Sequence, residues 1–277
     1  MPELAEVEFY RKRWHQAAAG QVVTHVRAHS AKKTFREAPA TRILRGLTGA
    51  TLISSAAAAK QMAFNFDNGA WLGVHLGMTG TLTAHPVGYS IGKHDHFVLD
   101  FTDASLVFTD PRMFGGVRFH EGPDAPGWWS KISPPLISSR FTKTDLTHFL
   151  RRRFRSPLKA VLLMQERFPG IGNWMADEIL WRAGIHPAQS AGSLTATEIT
   201  TLYREIRTVC CNALKSIAGA GDALPHDLNE GIPDTWLFNH RWRDGGTCPR
   251  SGVPLLRADI GGRTSCWSPA RQVLRES

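Results

Sequence analysis

The residues with the most reactive potential stand first in the chain. Pro2 follows Met1 directly, and Glu3 follows Pro2. Removal of Met1 leaves a secondary amine at Pro2. An α-amino group titrates at about 7.7–8.0, so a usable fraction is unprotonated near neutral pH. Such an amine attacks an electrophilic carbon and forms an iminium, as a lysine does in Schiff-base chemistry. The Glu3 carboxyl beside it suits proton donation or acceptance. The same residues also suit an ordinary helix start, because the fixed φ of proline fits the first turn and acids favour a helix N-terminus. Leu4, Val7, Tyr10 and Trp14 recur at helical spacing within residues 3–19, and Gly20 stops the pattern. A helix there carries the terminus and sets its direction.

Three further stretches of the first half bear chemistry-capable residues. Lys60 closes the apolar segment Ser54–Ala59; it reads either as a surface lysine on a buried stem or as a functional cation. His75-Leu76-Gly77-Met78-Thr79-Gly80 runs from a strand into a glycine-rich turn. Met78 is either a core filler or an exposed wedge able to enter a base stack. Asp110-Pro111-Arg112-Met113-Phe114-Gly115-Gly116 places an arginine and a phenylalanine on one turn. Exposed together, they hydrogen-bond an orphaned base and insert into a stack; otherwise they are a loop arginine and a core phenylalanine.

The elements that must position these residues read as follows. Short apolar runs at Val22–Val26, Thr51–Ala57, Met62–Phe66, Trp71–Leu76, Phe97–Phe101 and Leu106–Thr109 predict strands, with a hairpin turn at Asp67-Asn68-Gly69 and another at Asp103-Ala104-Ser105. There is no repeat and no alternating βα pattern, so residues 1–120 are predicted to be an antiparallel β-sandwich domain carrying one helix. Residues 121–143 are rich in Pro, Gly, Ser and Trp and read as a linker. Thr144–Arg153 predicts a helix, followed by the basic run Arg151–Arg155; Ser156-Pro157 predicts the start of another, reaching about Glu166. Gly170-Ile171-Gly172-Asn173 is a tight turn feeding a helix N-terminus, where free N–H groups and the helix dipole suit a phosphate. Gly184 ends that helix, and Thr195 with Glu198 predicts a capping box opening a helix to about Ala218. Residues 219–235 read as a mobile loop, a candidate substrate lid. Strand-like runs lie at 250–258 and 261–267.

Bulk properties narrow the partners. A formal net charge of +9 on 277 residues makes a polyanion a plausible ligand, and a hydrophobic content of 42% suits ordinary cores. No apolar run approaches the roughly 20 residues of a membrane span. Glu3, Glu6 and Glu8 break any signal-peptide pattern, so an intracellular, cytoplasmic protein is expected. The four cysteines are too sparse for a disulfide framework. Residues 241–277 hold seven arginines and three acids, so this end is locally basic.

Taken together, the stretches resemble the formamidopyrimidine-DNA glycosylase / endonuclease VIII (Fpg/Nei) family nearly end to end. Pro2-Glu3-Leu4-x-Glu6-Val7-Glu8, Lys60, His75–Gly80, Lys93-His94-Asp95-His96, Asp110-Pro111-Arg112-x-Phe114-Gly115 and Gly170–Asn173 recur in order; Ala5 replaces the family's second proline. The resemblance implies an α+β fold. An N-terminal helix and β-sandwich (1–120) precede a helix-two-turn-helix domain (144–235) whose lesion loop is 219–235, and a β-hairpin finger closes the chain (236–277). It implies a bifunctional glycosylase and abasic-site lyase acting on damaged double-stranded DNA as a monomer, through an N-terminal Schiff base with β,δ-elimination. Pro2 is then the nucleophile at C1′, Glu3 the proton donor to the sugar ring oxygen, and Lys60 a phosphate contact near the scission site. Met78, Arg112 and Phe114 fill the hole left by the everted nucleotide. His75, Asn173 and Arg263 hold phosphates, and Glu6 is a supporting acid.

Two departures stand out. The family usually ends in a zinc finger of two Cys-x-x-Cys pairs. Here Cys248 and Ser251 take the first pair, Ser268 and Arg271 the second, and Cys266 falls between ligand positions. That set cannot make the tetrahedral site, so no metal and no other cofactor is expected, and the hairpin is predicted to be a zincless finger held by packing. Gly231-Ile232-Pro233-Asp234-Thr235-Trp236 does not reproduce the glycine-tyrosine-phenylalanine stretch of oxidised-purine enzymes. The resemblance therefore leaves oxidised purines, ring-opened purines and oxidised pyrimidines open as substrates. Readings of other classes are a non-catalytic binder of damaged DNA, which intact Pro2, Glu3 and Lys60 oppose, and a helix-hairpin-helix glycosylase, which Asn173 and the β-rich first half oppose.

Overall fold

The computed structural model describes residues 2–29, 34–35 and 37–275, so Met1 lies outside the described residues. The chain forms two compact units, one of Met1–Ile132 with Ala218–Leu224 and one of Ser133–Ile217 with Pro225–Ser277.

In the first unit two antiparallel four-stranded sheets make the sandwich. Strands β1 (Val23–Ala28), β6 (Asp95–Phe101), β7 (Ser105–Thr109) and β5 (Thr81–His85) form one sheet in that order. Strands β2 (Leu52–Ala58), β3 (Gln61–Phe66), β4 (Ala70–His75) and β8 (Gly116–Glu121) form the other. Register in the second sheet explains its two faces. Met62 pairs with Val74 and Val74 with Val117, and all three are buried. Gln61 pairs with His75, and Gly73 with Arg118, so these lie together on the opposite face. Gly73 is needed there because an added Cβ would stand 2.6 Å from the Trp128 ring.

Helix α1 (Leu4–Ala18) packs on β2 and β5. Its inner stripe includes Phe9 and Trp14, both fully buried, each contributing roughly 1.5–3 kcal/mol. Trp14 Nε1 also donates to the carbonyl of Thr83 at 3.0 Å, which pins the helix to β5. Lys12 sits on the same helix yet is buried. Its Nζ donates to the carbonyls of Ala218 (2.8 Å), Gly219 (2.9 Å) and Ala223 (3.1 Å). Helix α2 (Ala40–Leu47) completes this unit with α3 (Gly127–Ser130), a single turn inside the stretch read as linker.

The second unit holds α4 (Lys143–Arg152), α5 (Leu158–Leu162), α6 (Asn173–Ala183) and most of α7 (Ala196–Ala218), followed by a hairpin of β9 (Leu256–Asp259) and β10 (Thr264–Trp267). Gly184 closes α6 in the left-handed region at φ +70°. Thr195 and Glu198 make the expected capping box, each backbone N–H bonded to the other's side chain. The helix expected from Ser156-Pro157 to about Glu166 is shorter. Pro157 is its N-cap, and after Leu162 the N–H groups of Leu163 and Met164 bond three residues back, turning the chain toward Gly170. No helix among the described residues is long and apolar enough to cross a membrane.

Lys12→Met keeps the buried stem and strips three carbonyls of their donor. The expected outcome is a loss of about 1–3 kcal/mol in urea unfolding. An unchanged midpoint would show that water replaces the ammonium without cost.

Candidate functional site

The amino-terminal end of α1 is fixed by its own acids. Glu3 N–H donates to a Glu6 carboxylate oxygen at 2.7 Å, and the Glu3 side chain accepts from the Glu6 backbone in return. Both carboxylates are buried, at 2% and 6% exposure, and Pro2 beside them is half-buried. A capping box of this kind normally uses Ser or Thr. Here two acids do it, which places both carboxyl groups within one turn of Pro2.

Lys60 occupies the β2–β3 turn just after Ala59, whose φ is +55°. Across the sheet His75 ends β4. Its Nδ1 accepts the Gly77 N–H at 3.1 Å, which puts the ring proton of the neutral form on Nε2. Burial holds the His75 pKa below the usual imidazole range, and the nearby Arg118 and Lys60 cations push it the same way. His75 is thus a neutral donor at pH 7, beside two fixed cations. Arg118 is held by Gln61 (3.0 Å) and Glu37 (2.8 Å).

The two glycine turns meet. An added Cβ on Gly77, at φ +62°, would stand 2.4 Å from the Gly115 nitrogen, so the His75–Gly80 turn lies directly on the Phe114-Gly115 turn. Asp110, fully buried, joins them. Its carboxylate accepts from Thr79 Oγ1 (2.7 Å), the Gly115 N–H (2.7 Å) and the Arg112 N–H (3.2 Å). Met78 and Phe114 are left exposed at 39% and 53%, and the Arg112 guanidinium lies 5.0 Å from the Phe114 ring centre. These three side chains form one projecting set, not core filler. The sequence motif contained Asp110 but gave no sign of its role as the joint.

In the second unit Asn173 begins α6, and its Nδ2 donates to the carbonyl of Thr264 in β10 at 2.9 Å. Its Oδ1 is buried with no hydrogen-bond partner. Arg263 is exposed at the hairpin turn, one residue before Thr264. The structure thus brings Asn173 and the Arg263 hairpin together.

The four positions that the family pattern gives to zinc converge only partly. Cys248 Sγ accepts from Trp181 Nε1 at 3.3 Å, and the Ser251 and Ser268 hydroxyls lie 3.4 Å apart. Burial pushes the Cys248 thiol up, but hydrogen bonds from Ser251, Ser268, Trp181 and the Arg250 backbone bring it down to about 6. The Arg271 guanidinium lies 5.7 Å from the Trp181 ring. One thiol, two hydroxyls and a guanidinium do not fit a structural zinc ion, which takes four Cys or His ligands. Cys266 is buried against Asp177 and pushed up to about 11 by burial first, so it is an inert thiol. Trp181, Leu237, Cys248, Leu255 and Cys266 form a buried cluster.

Comparison with known proteins follows the same division. Residues 1–117 match the formamidopyrimidine-DNA glycosylase N-terminal domain, and residues 132–222 the formamidopyrimidine-DNA glycosylase H2TH domain. The formamidopyrimidine-DNA glycosylase of Laribacter hongkongensis is 33% identical, covering 98% of this chain and 100% of that protein. Two crystal structures of Lactococcus lactis Fpg superpose with TM-scores of 0.85 at 25% identity, each covering 98% of this chain and 100% of the other. One holds DNA containing N7-benzyl-Fapy-dG, the other DNA containing an oxidised pyrimidine.

Imidazole NMR is expected to show His75 titrating below 6.5, with the proton on Nε2 at neutral pH, and Lys60→Met should raise its midpoint. The unfolded state takes the proton more readily, so His75 opposes folding only as pH falls below about 6.5. A midpoint at or above 6.5 would rule out a buried, cation-flanked setting for this ring.

Proposed function

The chain belongs to the formamidopyrimidine-DNA glycosylase family, and we propose that it is a base-excision glycosylase and abasic-site lyase working through Pro2. The substrate is a duplex carrying an oxidised or ring-opened base. Once Met1 is gone, the Pro2 nitrogen attacks C1′ and the glycosidic bond breaks, its electrons leaving with the base. Glu3 supplies the proton that opens the sugar at its ring oxygen, giving the iminium. Loss of a C2′ proton then expels the 3′ phosphate, and a second elimination expels the 5′ phosphate. Hydrolysis of the iminium returns the amine.

The observation that carries this reading is the acid-capped start of α1, which holds Pro2 and Glu3 in one direction. Other residues take supporting roles. Met78, Arg112 and Phe114 occupy the gap left by the everted nucleotide, and Arg112 faces the opposite base. Lys60 and His75 on one unit, and Asn173 and Arg263 on the other, bind backbone phosphates. Residues 1–120 are the catalytic domain, 121–143 the linker, 144–235 the helix-two-turn-helix domain with its lesion loop at 219–235, and 236–277 a finger without zinc. The donor set at Cys248 supports that last point, and intracellular DNA is the place of action.

Borohydride should trap a covalent adduct between the processed protein, its mass verified, and a lesion-containing duplex. Pro2→Thr should give none. Glu3→Gln should cut base excision about 100-fold or more. Tight binding with no adduct across purine and pyrimidine lesions would establish a non-catalytic binder instead. Elemental analysis should find substoichiometric zinc, and a chelator should leave the melting temperature unchanged; a full complement of zinc would overturn the zincless finger.

A further inference from the structure

One buried carboxylate in the second unit gathers more partners than helix stability requires. Asp177 is 1% exposed, in the second turn of α6. Its Oδ1 accepts from Lys159 Nζ of α5 at 2.5 Å. Its Oδ2 accepts from Arg241 at 2.5 and 3.1 Å and from the Cys266 N–H of β10 at 3.1 Å. Lys159 is fully buried and also donates to the Asn173 carbonyl at 2.6 Å. Two further contacts join the same parts. Asn173 Nδ2 bonds Thr264 of β10, and Gly261 of the hairpin turn packs on Ala160 so closely that a Cβ would stand 2.6 Å from the alanine Cβ.

Burying three charges costs several kcal/mol per ion, and apolar residues of like volume serve stability as well or better. What apolar packing does not give is direction. Four donors on one carboxylate set the hairpin against α6 at a single registry.

The geometry points to Asp177 as a positioning residue that couples Asn173 and Arg263 into one preset phosphate clamp. This rests on the phosphate-binding roles proposed above for those two residues. The carboxylate thereby does in this finger what a metal does in the zinc-bearing pattern: it fixes the hairpin relative to the helix turn. A preset pair binds cooperatively, because the first contact already orders the second.

A double-mutant cycle tests it, using a fluorescent duplex with a central tetrahydrofuran site. Asn173→Ala and Arg263→Gln should each weaken binding about tenfold. Together they should fall short of the product of the single effects by about fivefold. In an Asp177→Asn background, which keeps the side-chain size but turns an amide donor toward Arg241 and the Cys266 N–H, the single effects should multiply to the double. If Asp177→Asn does not fold by circular dichroism, Arg241→Met replaces it as the background. Single effects that multiply in the wild type overturn the inference and leave the glycosylase reading standing. Coupling that survives in both backgrounds also overturns it, because the Asn173–Thr264 bond then suffices. Single variants that bind like wild type overturn the phosphate roles themselves, and the inference with them.

Discussion

The nucleophile proposed at Pro2 depends on one constraint: the end must not fray. Terminal residues are the least ordered part of most domains unless tied down. Here the tie is short and electrostatic. Glu6 accepts the Glu3 N–H, and the helix behind them is clamped by Trp14 on Thr83 and by Lys12 on three carbonyls. Burial of Phe9 and Trp14 sets the rotation of α1, and rotation sets which way Pro2 faces. The remainder of the unit is a scaffold for that direction, and β2, which leads into the turn bearing Lys60, is one of the strands on which the helix rests.

The same device recurs twice with different donors. Asp110 and Asp177 are each nearly inaccessible, and each is saturated with hydrogen bonds. A buried carboxylate with missing donors would cost several kcal/mol; one with three or four donors is tolerated and fixes geometry. Asp110 holds two loops so that Met78, Arg112 and Phe114 project together. Asp177 holds a hairpin on a helix so that Arg263 stands near Asn173. In both cases the side chains proposed to meet DNA lie at or near the surface, and the carboxylate that holds their loops is buried.

This division explains what could be read without coordinates. The exposed residues proposed to act on DNA come in local motifs, such as Gly77-Met78 or Arg112-x-Phe114, and local spacing is visible in a sequence. Helix α1, the Gly170–Asn173 turn and six strands were equally local and were legible. Asp177 was not. An aspartate beside a glutamate on a helix reads as a solvated face, and only tertiary folding brings Lys159, Arg241 and the Cys266 N–H to it. Strands β5 and β8 escaped for a related reason. Thr81–His85 buries only Leu82, and Gly116–Glu121 alternates buried with polar positions over too few residues to stand out. Helix α5 is shorter than its sequence predicts because, after Leu162, the N–H groups of Leu163 and Met164 bond three residues back and turn the chain.

The C-terminal hairpin forms with one thiol, two hydroxyls and a guanidinium at the four positions of the zinc pattern. Zinc holds a finger through a few strong bonds to thiolates, so the loss of one ligand should release the whole hairpin. Distributed anchoring behaves differently. Cys248 retains its place as a hydrogen-bond acceptor from Trp181, with two serines where thiolates would stand, while apolar residues cover it. Each of these contacts is weaker than a metal bond, so none alone orients the turn that carries Arg263. The Asp177 cluster supplies the missing direction from the other side of the hairpin, through the backbone of Cys266 rather than its thiol.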